Sequence, residues 1–251
     1  MRRVRIVTPV IAEALRVPDD VAGLAGAGTE LSVVHVERGP ASIESAFDAA
    51  LAAPETIARV LEAERDGIDA VVIDCMDDPA LEAAREVASI PVLGPSQTSM
   101  HLACLLGHRF SVVTVLERSV PQFGDLARRY GLAERLASVR WVDVPVLELE
   151  REHERVVEDL ARESLAAIEQ DGAHVIVLGC TGMLGCAADL REGLRRAGHG
   201  GVPVIDPLPA TVRVAEALVA VGLAHSKRTY PPPPAKAITG YDFVGWRSAR
   251  G

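Results

Sequence analysis

A short run of apolar β-formers leading into a cysteine occurs twice in this chain. Each time a helix-like stretch and then a Pro-Val strand follow. The first unit runs Ala70-Val71-Val72-Ile73-Asp74-Cys75, then Asp77-Asp78-Pro79-Ala80-Leu81, then Ile90-Pro91-Val92-Leu93. The second runs Val175-Ile176-Val177-Leu178-Gly179-Cys180, then Thr181-Gly182-Met183, then Val202-Pro203-Val204-Ile205. A continuous apolar run of this length suits a parallel strand covered on both faces. The repeat therefore predicts one thiol at the carboxyl end of a buried strand in each half, which is where open α/β sheets bind ligands.

The rest of the chain alternates in the same way. Strands are predicted at Val4–Val7, Leu31–Val36, Arg109–Val115 and Val139–Val144. Helices are predicted at Asp78–Ala88, with Pro79 in the first turn, and at Ser96–Leu106, Pro121–Tyr130, Arg151–Gln170, Ala187–Ala197 and Pro207–Leu223. The stretch Ser42–Arg65 reads as one helix or a pair. Such alternation argues an α/β fold of two pseudo-symmetric lobes. Each lobe is expected to be a mostly parallel sheet flanked by helices, with the active site in the cleft between them. The expected first lobe is residues 1–97 plus 212–251, with a returning C-terminal helix and tail, and the second is 98–211. The tail carries Pro231–Pro234, which favours an extended conformation. Tyr241, Phe243 and Trp246 beyond it suggest docking on the body.

A net charge of −9 and the lack of a dense Lys/Arg block argue against a nucleic-acid surface. No apolar run approaches the roughly 20 residues of a membrane span. The start Met1-Arg2-Arg3-Val4-Arg5-Ile6-Val7 reads as a first strand rather than a signal peptide. The four cysteines have no CxxC spacing, which favours a reducing, cytoplasmic setting over a disulfide framework. No histidine pair has metal-ligand spacing, and Gly23, Gly26 and Gly28 lack the strand–helix frame of a dinucleotide loop. We therefore expect no cofactor and no metal.

Two thiols addressing one ligand suggest two-base proton transfer. One base removes a proton from a stereocentre, and an acid on the opposite face returns one. A thiol at a helix N-terminus is acidified by the free N–H groups and the dipole, so both turns suit a thiolate. Cys104, within Leu102–Leu106, and Cys186 read as packing residues. Asp77 faces either the pocket, as an anion beside Cys75, or solvent at a helix start. Glu44 reads as support for the adjacent helix start.

Asp74-Cys75-Met76-Asp77-Asp78-Pro79-Ala80-Leu81, Leu178-Gly179-Cys180-Thr181-Gly182-Met183 and Arg109-Phe110-Ser111-Val112-Val113-Thr114 resemble the aspartate/glutamate/hydantoin racemase superfamily. Gly39–Ser45 and Pro232–Lys236 are similar to its hydantoin racemase branch. The resemblance covers nearly the whole chain. It implies cofactor-independent proton transfer by Cys75 and Cys180 on a small carbonyl-activated stereocentre, such as a hydantoin or related cyclic amide. It also implies a homo-oligomer, for which the apolar helices 96–106 and 208–223 are candidate contact surfaces. Substrate-binding positions implied by it are Thr8, Pro9, Val10, Met76, Asp77, Ser96, Thr114, Arg118, Ser119, Thr181 and Gly182. The chain departs from the usual pattern at Thr8-Pro9-Val10, where that branch has an Asn-Pro-Asn type segment, and at Asp77, Ala80 and Thr181. The alternatives are a decarboxylase or cis-trans isomerase of the same superfamily, and a non-catalytic two-lobed ligand-binding protein.

Overall fold

The computed structural model describes residues 1–241 and 243. The chain forms two compact units, one from Met1–Gly94 with the chain from Thr211 onward, the other Pro95–Ala210.

The first unit holds a parallel sheet of strand order β2-β1-β3-β4. Its strands are β1 (Arg2–Thr8), β2 (Thr29–His35), β3 (Ala70–Ile73) and β4 (Val92–Leu93). Every residue of β3 is fully buried, as the unbroken apolar run requires. Each such Val or Ile side chain contributes about 1.5–3 kcal/mol by leaving water. The first two helices of this unit are α1 (Pro18–Val21) and α2 (Ala46–Arg65). The 42–65 stretch is thus one helix rather than a pair, with Pro54 inside it. Ser45 caps α2, its Oγ accepting from the Asp48 N–H at 3.2 Å, and the Glu44 N–H donates to Asp48 Oδ2 at 3.1 Å, so both residues brace the helix start. Val60 and Ala63 of α2 pack with Val71, Ile73 and Ala84 in one apolar core.

The next helix, α3, spans Leu81–Val87, three residues later than the sequence suggests. Asp78 (φ 47°) and Ala80 (φ 58°) adopt left-handed backbone. Two such residues cannot join a right-handed helix, so Pro79 belongs to the preceding turn.

The second unit repeats the plan with strand order β6-β5-β7-β8, again all parallel. Its strands are β5 (Phe110–Thr114), β6 (Leu136–Trp141), β7 (Val175–Leu178) and β8 (Val204–Ile205). Its helices are α4 (Pro95–Leu106), α5 (Val120–Arg129), α6 (His153–Glu169) and α7 (Cys186–Arg196). A last helix, α8 (Pro207–Ala220), carries the chain back into the first unit. Strand β6 lies three residues earlier than expected at both ends. Its ladder stops opposite Thr114, the end of β5, and Asp143 turns the chain with φ 57°.

The reading of Cys104 as a packing residue is corrected. Leu105 and Leu106 are exposed, and Cys104 is only half-buried rather than part of the core.

Beyond α8 the tail lies on the first unit. Lys227 Nζ donates to the carbonyls of Arg85 and Ala88 at 2.7 and 2.6 Å. These groups belong to the C-terminal turn of α3, where unpaired carbonyls favour a cation. Arg85 donates to the Tyr230 hydroxyl at 3.2 Å. Pro233, Ile238 and Phe243 line a cavity of about 200 Å³ with Ile57 and Leu61 of α2. The Tyr241 and Phe243 rings stack 5.7 Å apart. Trp246 lies outside the described residues.

His225 Nε2 lies 2.9 Å from the Val92 N–H. Burial, reinforced by the nearby Arg85 cation, pushes its pKa down to about 4. The folded protein therefore resists protonating His225, while the unfolded chain takes up a proton near the ordinary value of 6.5. Between those values the unfolded state binds more protons, so this contribution is intact above about 6.5 and is lost as the pH falls towards 4. Thermal melts across that window are expected to show a shallower loss of stability for His225→Gln than for the unaltered protein. Equal slopes would contradict this.

Candidate active site at the strand switch points

In both sheets the chain adds its second strand on one side of the first and its third on the other. The two crossovers part at the carboxyl ends of β1 and β3, and likewise at those of β5 and β7. Such a switch point leaves a crevice outside the strand ends. Thr8-Pro9-Val10 and Cys75 lie at the first, Thr114 and Cys180 at the second.

Two backbone bonds recur at both points. Asp74 N–H donates to Val7 O at 2.8 Å, and Gly179 N–H to Val113 O at 2.7 Å. Val36 N–H donates to Thr8 O at 3.2 Å, and Val142 N–H to Thr114 O at 3.0 Å. The thiols match too. Cys75 Sγ accepts from the Asp77 N–H at 3.4 Å, and Cys180 Sγ from the Gly182 N–H at 3.3 Å. Both cysteines are half-buried.

A backbone N–H aimed at sulfur favours the thiolate over the thiol. This local donor replaces the helix dipole expected from the sequence. Cys75 stands well before α3 begins, and Cys180 caps a single 3-10 turn, Thr181–Met183, with α7 starting only at Cys186. A Cβ on residue 182 would meet Leu149 Cδ1 at 2.9 Å. Glycine therefore lets the 182 backbone close onto the sulfur.

In the first unit, Thr8, Val10 and Met76 are buried and Asp77 is half-buried. The Asp77 backbone turns towards Cys75, so Asp77 is part of the thiol's turn and not the first turn of a helix. Thr8 Oγ1 is buried without a hydrogen-bond partner among the described residues. In the second unit, Ser96, Thr114, Ser119 and Thr181 are buried, while Arg118 and Gly182 are exposed. Thr114 Oγ1 donates to Gly179 O at 3.2 Å.

Sequence reasoning passed over one feature. Arg16 Nε donates to Asp74 Oδ2 at 2.7 Å, with both side chains almost wholly buried. Arg16 ends the segment that follows β1, and Asp74 immediately precedes Cys75. An acid at the end of an apolar strand was visible in the sequence, but its partner lies 58 residues away.

The other thiols differ. Burial first, then the carboxylates of Asp206 and Asp189, push Cys186 up to about 11. Its Sγ lies 3.9 Å from His153 Nδ1, but an anion-flanked buried thiol gains no nucleophilicity from that neighbour. Burial also raises Cys104. Among the described residues no group of three or more His, Cys, Asp or Glu is placed to hold a metal ion. No helix among them is long and apolar enough to cross a membrane.

Two parallel α/β units of like topology, each with a thiol at its switch point, define the class of protein. A family model described as Asp/Glu/Hydantoin racemase matches residues 9–215. Hydantoin racemase of Rhizobium meliloti is 44% identical over 216 residues, covering 86% of this chain and 87% of that protein. Hydantoin racemase of Paenarthrobacter aurescens is 38% identical over 238 residues, covering 93% and 98%. The structure of allantoin racemase from Klebsiella pneumoniae superposes with a TM-score of 0.88 at 36% identity, covering 96% and 97%. The chain belongs to the Asp/Glu/hydantoin racemase family and is an isomerase of the racemase kind.

Iodoacetamide at neutral pH is expected to label Cys75 and Cys180 well before Cys186 and Cys104, as followed by peptide mass spectrometry. Equal rates at all four thiols would contradict the distinction.

Proposed function

We propose that the protein interconverts the enantiomers of a 5-substituted hydantoin or a related cyclic ureide, with Cys75 and Cys180 as the two acid–base groups. The observation that carries this reading is the matched pair of thiols. Each stands at a switch point, and each accepts a backbone N–H from two residues onward.

The chemistry balances without an added reactant. A thiolate takes the proton from the stereocentre, forming S–H, and the C–H electron pair passes into the adjacent carbonyl as an enolate. The other cysteine, as a thiol, gives its proton to the opposite face and becomes the thiolate. The protein then stands ready for the opposite enantiomer, and exchange with water resets it. Backbone N–H groups are suited to stabilise the enolate oxygen as charge develops there.

Substrate class is supported by the relatives named hydantoin racemase and the structural neighbour named allantoin racemase. A cyclic ureide carries no carboxylate. That suits a turn carrying Asp77 and Asp78 better than an anionic amino acid would, because like charges brought into a partly buried site repel. Thr8, Pro9, Val10 and Met76 on the first unit, with Ser96, Thr114, Arg118, Ser119, Thr181 and Gly182 on the second, are the positions we propose for substrate contact. The hydroxyls of Thr8 and Thr114 are suited to bond ring amide or carbonyl groups.

Enantiopure hydantoins and allantoin in deuterated buffer, followed by NMR, test the reading. Cys75→Ala and Cys180→Ala are each expected to lower racemisation by roughly a thousandfold, within the range of a lost general acid or base. Full activity in both variants would sink the two-cysteine mechanism.

A further inference from the structure

Taking Cys75 as a proton-transfer group, we propose that Arg16 is a positioning residue for it, acting through the buried ion pair with Asp74 to set where the Cys75 thiol stands and how readily it ionises. The pair is one electrostatic difference between the two switch points, and it has no counterpart at the residue before Cys180. The residue before Cys180 is Gly179, where a Cβ would meet the Thr114 Cα at 2.7 Å, so no side chain is admitted there. The residue before Cys75 is a carboxylate held by a guanidinium.

Stability is a poor reason for such a pair. Its side chains are only 4% and 2% exposed, and burying two ions costs several kcal/mol that their attraction barely offsets. Apolar residues of like volume would serve the fold as well.

The pair's location supplies the reason. It joins the segment after β1 to the thiol's own turn. That segment is fastened at Ile11, whose N–H donates to Pro40 O at 3.0 Å. It is fastened again by His35, whose ring nitrogens lie 3.3 Å from Val10 O and 2.8 Å from Arg16 O. Arg16 then reaches Asp74. Asp74 is the middle residue of a tight turn in which the Cys75 N–H donates to Ile73 O at 2.9 Å. The carboxylate that Arg16 holds is therefore one residue from the sulfur, at the centre of the bend that aims it.

Other charges face the same region. Asp20 Oδ2 is 3.9 Å from Arg16 Nη1. Glu13 lies in the turn before Arg16, and His35 lies beneath it. Asp77 and Asp78 share the turn of Cys75, and the Asp78 carboxylate packs where a Cβ on Gly94 would fall. In this acid-rich turn the guanidinium balances Asp74. Without it, the Asp74 carboxylate would stand beside the thiolate without that balance and disfavour it.

The two partners must then shift Cys75 in opposite directions. Iodoacetamide alkylation of Cys75 against pH, read by peptide mass spectrometry, gives the thiol's apparent pKa with no substrate present. Arg16→Met is expected to raise it by roughly one unit, and Asp74→Asn to lower it by a comparable amount. The double variant Arg16→Met/Asp74→Asn and the charge-conserving Arg16→Lys are expected to return near the starting value. Cys180 is expected to titrate unchanged in all four, and a cooperative thermal melt followed by circular dichroism reports that each variant is folded. The pH profile of racemisation should move with Cys75. Shifts of the same sign in both single variants, or no shift in Asp74→Asn, overturn the proposal. If Arg16→Met does not fold, Asp74→Asn and the double variant decide it. Because alkylation needs no turnover, a failed racemase reading and a failed ion-pair reading give different results.

Discussion

A parallel sheet that places its first strand inside and its next two on either side must part its crossovers at the strand ends. That topological constraint governs the rest of this molecule. It is satisfied twice, by the orders β2-β1-β3-β4 and β6-β5-β7-β8. It fixes which residues border the switch points, namely those that end the first and third strands of each unit. Those residues are Thr8 with Cys75, and Thr114 with Cys180. The fully buried strands β3 and β7 hold the cysteines at a set height above the sheet. A close-packed interior allows little drift in where the thiols emerge.

Duplication gives the two thiols like surroundings, and a few residues then set them apart. Each sulfur faces an N–H from the second residue onward. Yet Thr114 and Val112 crowd Gly179 so closely that no side chain is admitted before Cys180, whereas Asp74 and Arg16 place a buried ion pair before Cys75. The proposed two-cysteine reaction needs one thiol charged and the other neutral at any moment. Small electrostatic differences between the two turns decide which resting state is favoured. The low-dielectric setting of the Arg16–Asp74 pair makes it an effective place to apply such a difference.

Periodicity made the sheet readable from the sequence wherever burial is complete. Strands β3 and β7 stand at the residues their apolar runs mark, because a strand covered on both faces tolerates no polar interruption. The family was legible in the two cysteine motifs, and the matching model and relatives bear that out. Local backbone was harder to read. Asp78 and Ala80 take left-handed conformations that no composition rule assigns to them, so α3 starts late and the dipole expected at Cys75 is absent. Cys104 looked like a core residue, but it is only half-buried, and the last turn of α4 leaves Leu105 and Leu106 in the open. Hydrophobicity does not say which part of an apolar helix the fold will cover. The Arg16–Asp74 pair was out of reach for another reason. It joins residues far apart in sequence, and neither residue belongs to a pattern that names its partner.

The central claim is that two different groups handle the proton on its way off and on. Solvent deuterium tests this most directly. The unaltered protein would be given a single enantiomer of the substrate it turns over, in deuterated buffer, and sampled at low conversion. Two-base transfer predicts that the newly formed enantiomer carries deuterium at its stereocentre while the remaining starting enantiomer keeps its hydrogen. Deuterium appearing in the starting enantiomer as fast as in the product would mean that one group serves both faces, and the account would be wrong.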